Sequence, residues 1–76
     1  MSKKCTISNI DSESLEYITK LIADIRAGKV IMTDGRIEFI CSNSNMAKLI
    51  DLHQRDIIRC DISYVQIHQN SKQYDN

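Results

Sequence analysis

Two histidines and three cysteines are the side chains of this chain best suited to acid–base, nucleophilic or metal chemistry. His53 stands near Asp51 and Asp56, and a carboxylate beside an imidazole can orient it as a general base. The same histidine falls on an apolar helical stripe, where a half-buried side chain with a structural hydrogen bond is the simpler reading. His68 lies near a polar tail and reads as solvated. Cys41, His53, Cys60 and His68 offer the nitrogen and sulfur ligands zinc prefers, yet the last three are separated by steps of 7 and 8 residues, which match no compact zinc module. Cys5, Cys41 and Cys60 are odd in number, widely spaced and without a C-x-x-C pair, so reduced thiols are expected rather than a disulfide framework. There are only 2 glycines, both accounted for as chain punctuation, so no glycine-rich phosphate cradle can be built; no P-loop, G-x-S-x-G or H-E-x-x-H is present. The expectation is a non-enzymatic protein with no catalytic residue, no bound metal and no cofactor.

Lys48, Arg55 and Arg59 could meet phosphates, but Asp51, Asp56 and Asp61 alternate with them, the pattern of a salt-laced solvated face. Across the whole chain, 10 Lys plus Arg cancel 10 Asp plus Glu. The 3 Tyr and 1 Phe are scattered, leaving no interleaved aromatic platform for single strands. These features argue against nucleic acid as a partner. No apolar run is long enough to cross a bilayer, and Met1-Ser2-Lys3-Lys4-Cys5 lacks the apolar stretch of a signal peptide, so a cytoplasmic protein is expected.

The elements that must position these residues fit one small domain, since the chain has 76 residues and 8.8 kDa. A domain of this size hides only about 60% of its unfolded surface, a first hint that a partner or further copies add stability. Residues 1–10 read as an N-terminal arm, with Cys5-Thr6-Ile7-Ser8 forming at most a brief strand. From Asp11 onward Leu15, Ile18, Leu21, Ile22 and Ile25 recur on one face of a helix. Asp11 is suited to cap its start, and Gly28 to supply the left-handed residue that ends it.

Lys29-Val30-Ile31-Met32 and Arg36-Ile37-Glu38-Phe39-Ile40-Cys41 flank Asp34-Gly35, the favoured type I′ turn pair, which predicts a tight hairpin. A two-residue loop opposes Thr33 to Arg36 and Met32 to Ile37. Val30, Met32, Ile37, Phe39 and Cys41 then share one side; Lys29, Ile31, Thr33, Arg36, Glu38 and Ile40 share the other. Ser42-Asn43-Ser44-Asn45 is rich in helix-capping residues, and Met46, Leu49, Ile50, His53 and Ile57 follow at helical spacing, predicting a second helix of about four turns. Residues 61–68 alternate as a strand would, though Ile57-Ile58 and Ile62 could equally extend the second helix or dock an arm, and 69–76 are polar and aperiodic, the signature of a disordered tail. The expected fold is α+β: helix, β-hairpin, helix, with the two helices packed on a small antiparallel sheet, a possible short extra strand near the C-terminus, and one domain over residues 11–68.

Surfaces for protein contact remain. The outward side of the hairpin presents Ile31 and Ile40 among Arg36 and Glu38, and the C-terminal segment adds Ile62 and Tyr64, more apolar than a free tail. These six are the candidate protein-interface residues.

The helix end Leu21-Ile22-Ala23-Asp24-Ile25-Arg26-Ala27-Gly28-Lys29-Val30, the turn and return strand Asp34-Gly35-Arg36-Ile37-Glu38-Phe39, and Met46, Leu49 and Ile50 together resemble the phage head-completion proteins of the lambda gpW family. The resemblance spans residues 15–57. It implies a virion component that joins the portal vertex as a ring after DNA packaging, closes the channel and presents a platform for the next connector or tail protein. Its partners would be the portal or connector and further copies of itself, in the host cytoplasm and then in the virion. The competing reading is a small regulatory or inhibitory protein that binds a host or cellular enzyme through its hairpin and C-terminal segment.

Overall fold

The computed structural model describes residues 1–67. The tail over residues 69–76, and His68 with it, lie outside the described residues. The elements run in the order β1 (Ser2–Ser8), α1 (Ser12–Asp24), β2 (Ile31–Thr33), β3 (Arg36–Ser42), α2 (Asn43–Gln54) and β4 (Asp61–Ile67).

Asp11 caps α1 as its residue type suggests: extended backbone at φ −80°, with a carboxylate oxygen accepting from the Ser14 amide at 2.7 Å. The helix stops before Gly28. Arg26 takes the left-handed conformation (φ 52°), and the Arg26 and Ala27 amides donate to the Ala23 and Ile22 carbonyls at 3.2 Å each. That paired return is a Schellman motif, and it satisfies the last carbonyls without glycine. Gly28 is used otherwise: its amide donates to the Ile40 carbonyl at 2.9 Å, tying the incoming chain to β3.

α2 is capped without any loop, because Ser42 is both the last residue of β3 and the cap, its hydroxyl accepting from the Asn45 amide at 3.2 Å. The helix has 12 residues rather than four full turns. It ends as α1 does, with Asp56 left-handed (φ 61°) and the Asp56 and Ile57 amides donating to His53 and Leu52. Ile57 therefore lies past the helix, in the segment that carries the fully buried Ile58 toward β4.

The hairpin forms in the expected register, Thr33 opposite Arg36, Met32 opposite Ile37 and Ile31 opposite Glu38. Asp34 (φ 34°) and Gly35 (φ 72°) both have positive φ, the requirement of the type I′ turn. The four strands make one antiparallel sheet in the order β2-β3-β1-β4. Residues 2–8 are thus a full seven-residue strand inside the sheet, paired with β3 on one side and β4 on the other, and no arm. The connectivity is β-α-β-β-α-β, two interleaved split β-α-β units as in ferredoxin-like domains.

Both helices cover one face. Cys5, Ile7, Ile37, Phe39 and Cys41 point to that face and are buried with Ile18 and Ile22 of α1, Met46 and Leu49 of α2, and Ile58. Along β3 every position on this side, Ile37, Phe39 and Cys41, is apolar and buried, because a sheet covered on one face needs period-two burial; Lys3 and Gln66 share the side at the far ends of β1 and β4. Val30 and Met32, assigned to the same side of the hairpin, stay exposed at 39% and 55%. β2 is an outer strand beyond the reach of the helices, so Met32, opposite Ile37, shares the core's direction but not its cover, and Val30 lies just before the strand.

Candidate functional site

The residues with the best chemical potential are occupied by the fold. Nε2 of His53 donates to the Cys60 carbonyl at 2.7 Å, fixing the proton on that nitrogen and tying α2 to the segment before β4. Cys5 and Cys41 are buried and Cys60 half-buried, all as free thiols. Burial pushes the Cys5 thiol up to about 12 and raises the other two, the opposite of what a nucleophile or metal ligand needs. Among the described residues, no three His, Cys, Asp or Glu side chains are grouped to hold a metal ion, and no helix is long and apolar enough to cross a membrane.

The basic residues considered for phosphate contact are also engaged, apart from Lys48, which is exposed on α2. Arg55 pairs with Asp51 one turn back at 3.3 Å. Arg59 bonds Asp11 through Nε at 2.7 Å and Glu13 through Nη2 at 2.8 Å, while its amide donates to the buried Ser14 hydroxyl at 2.8 Å. These contacts clamp the approach to β4 onto the first turn of α1. Hydrogen bonds from Ser14, then from Arg59, hold the Asp11 carboxyl down to about 2.

Among the described residues, the candidate surface that remains is the face of the sheet that no helix covers. Register assigns its rows. Ile31, Glu38, Thr6 and Ser63 lie side by side across all four strands, and Ile40, Lys4 and Val65 form the next row. Glu38 is the polar centre, accepting from Arg36 Nε at 3.0 Å and facing Lys4 Nζ at 3.9 Å. Ile31 and Ile40, 45% and 40% exposed, flank it, and Val65, 61% exposed, lies across Lys4 on β4. Lys4 borders two shallow depressions. One, of about 240 Å³, runs toward Lys29, Ile31 and Ile40; the other, of about 200 Å³, toward Thr6, Ser63 and Val65.

Four of the six residues chosen from sequence, Ile31, Arg36, Glu38 and Ile40, meet on this face. Ile62 and Tyr64 do not, because β4 opposes Ile62 to Ile7 and Tyr64 to Cys5, both of which point to the helices. Ile62 packs against the core. Tyr64 lies beyond the helices, 45% exposed, with Lys3 Nζ 4.5 Å from its ring centre. The C-terminal segment contributes Ser63 and Val65 instead. Lys4 and Thr6 of β1 join Ser63 and Val65 as face residues outside the six expected from sequence, although Ser2, Lys4, Thr6 and Ser8 do alternate with Cys5 and Ile7 as the wet side of a strand would. Among the described residues no aromatic ring belongs to this face: Phe39 and Tyr64 point the other way and Tyr17 is on α1.

Comparison with known protein families, curated proteins and solved structures gives no match to this chain.

Proposed function

We propose that the chain is a non-enzymatic protein-binding module that holds a partner protein on the helix-free face of its sheet, as a small regulatory or inhibitory protein would. The observation that supports this reading is the joining of the hairpin and the C-terminal strand through β1. Ile31 and Ile40 come from one, Val65 from the other, and Lys4 stands between them on adjacent rows. Exposed apolar side chains around an ion-paired centre are what a partner needs: the aliphatics supply area to bury, and Lys4, Arg36 and Glu38 set register and reject mismatched charge. Charge balance and the aromatic-free face speak for protein rather than nucleic acid.

A second reading, head completion at a portal vertex, is supported by the unbroken α1-β2-β3-α2 order, which has the layout of the resembling family. In that setting the same face would meet the portal ring or neighbouring copies.

A tagged pull-down from the native source at near-physiological salt separates the two, with the I31K/I40K double variant as control. Stoichiometric recovery of one non-structural enzyme or regulator by the wild type, lost in the folded variant, supports the first reading. Recovery of a portal or connector protein supports the second. Equal recovery by wild type and folded variant removes this face from both.

A further inference from the structure

The two edges of the sheet are treated differently. β2 is only three residues long and runs into the hairpin turn, so it offers little ladder to another chain. β4 is seven residues long and pairs with β1 without a bulge from Asp61 to Ile67. It has no Lys, Arg or Pro, and its one charge, Asp61, accepts a hydrogen bond from Asn9 Nδ2 at 2.6 Å. Tyr64 on one face and Val65 on the other are both exposed. Among the described residues nothing pairs with its outer side. A long, regular, nearly uncharged edge is the form natural sheets avoid unless a strand is meant to add there.

We infer that β4 is the strand of self-association, pairing antiparallel with β4 of a second copy across a two-fold axis at Tyr64. This goes beyond the partner reading and holds whichever protein the open face takes. A second copy fits because the strand is complementary to itself. With the axis at Tyr64, all seven residues find partners: Ser63 opposes Val65, Ile62 opposes Gln66 and Asp61 opposes Ile67 of the other copy. No like charges meet, and the two Asp61 carboxylates fall at opposite ends of the ladder. Shifting the axis shortens the ladder. Antiparallel pairing about such an axis preserves faces, so two four-stranded sheets become one of eight strands, with all four helices on one side and both open faces continuous on the other. A domain too small to bury much surface alone gains from that closure.

Sedimentation equilibrium of the full chain over a concentration series up to the millimolar range tests this, with hydrogen exchange on β4 as the second readout. The wild type should reach a limiting mass of twice 8.8 kDa. The S63K/V65K variant sets lysine against lysine twice across the axis and should raise the dissociation constant about tenfold or more. S63E/V65K, which sets glutamate against lysine instead, should restore it. The β4 amides not bonded to β1 should be protected in the dimer and lose protection on dilution. A wild type that stays at 8.8 kDa throughout overturns the inference, whether its outer β4 amides are open or are protected by the chain's own residues 68–76. So does a dimer indifferent to S63K/V65K but dissociated by I31K/I40K, which would place the contact on the open face away from the edge.

Discussion

Phe39 and Ile40 are neighbours in β3, yet Phe39 is 1% exposed beneath the helices and Ile40 is 40% exposed on the opposite side of the sheet. The same contrast holds along β1, where Cys5 and Ile7 are buried and Lys4 is exposed. One face packs Phe39 among aliphatic and sulfur-bearing side chains, closed by α1 and α2; the other mixes isoleucine and valine with an ion-paired Lys4, Glu38 and Arg36. Surface pairs of this kind add at most about 1 kcal/mol, so the open face contributes little to folding and its residues are free to serve contact. The lesson is a division of labour by strand parity: even and odd positions of the same strand carry separate tasks, and substitutions should separate them.

The most damaging way to break the contrast is to remove the strand that both faces share. Deleting residues 1–8 should abolish cooperative thermal unfolding, because β3 and β4 lose their common partner; a truncated chain that still melts cooperatively would show that the helix–hairpin–helix portion stands alone. Next in size, Phe39→Ala should cost about 3–5 kcal/mol by denaturant unfolding, the range for emptying a packed aromatic site. A loss below about 1 kcal/mol would mean the covered face is not the core.

Gly35→Val should cost about 1 kcal/mol or more, since φ 72° is poorly tolerated by a β-branched residue even though open space surrounds the position. Unchanged stability would contradict the type I′ turn that aligns Ile31 with Glu38. Arg26→Gly should act in the opposite direction, stabilising by about 0.5–1 kcal/mol, because the left-handed residue of the α1 terminus would lose its Cβ strain; no gain would question the Schellman geometry.

The smallest effect is a pH dependence. The Asp11 carboxyl is held at about 2 instead of 3.8, so its contribution is present in full above 3.8 and is lost as pH falls through about 2. The stability difference between wild type and Asp11→Asn, followed by denaturant midpoints, should therefore shrink across that window. A constant difference would mean that the contacts with Ser14 and Arg59 do not depend on the carboxylate charge.

How far these features are legible in the sequence depends on whether their causes are local. The Asp34-Gly35 turn and the Asp11 cap are local, and so the hairpin register and the start of α1 can be read directly. The expected close of α1 at Gly28 fails because Arg26, a residue without glycine's freedom, takes the left-handed position under the constraint of the fold. β1 is the clearest loss: with only Cys5 and Ile7 apolar at its inner positions, it draws its stability from β3 and β4 on either side, neighbours that no short window contains. The candidate face inherits that loss. The hairpin's Ile31, Arg36, Glu38 and Ile40 follow from the turn, whereas Lys4, Thr6 and Val65 join them only once the pairing of β1 with β4 sets the parity that turns Ile62 and Tyr64 toward the other side.

The division between the two faces is tested most directly by one side-by-side experiment on adjacent residues, measuring unfolding free energy and partner capture for Phe39→Ala and Ile40→Lys. Phe39→Ala should lower stability by about 3–5 kcal/mol while its folded fraction still captures the partner. Ile40→Lys should shift stability by no more than about 0.5 kcal/mol and lose capture. An Ile40→Lys chain that unfolds, or one that stays folded and captures the partner as well as the wild type does, would contradict the account.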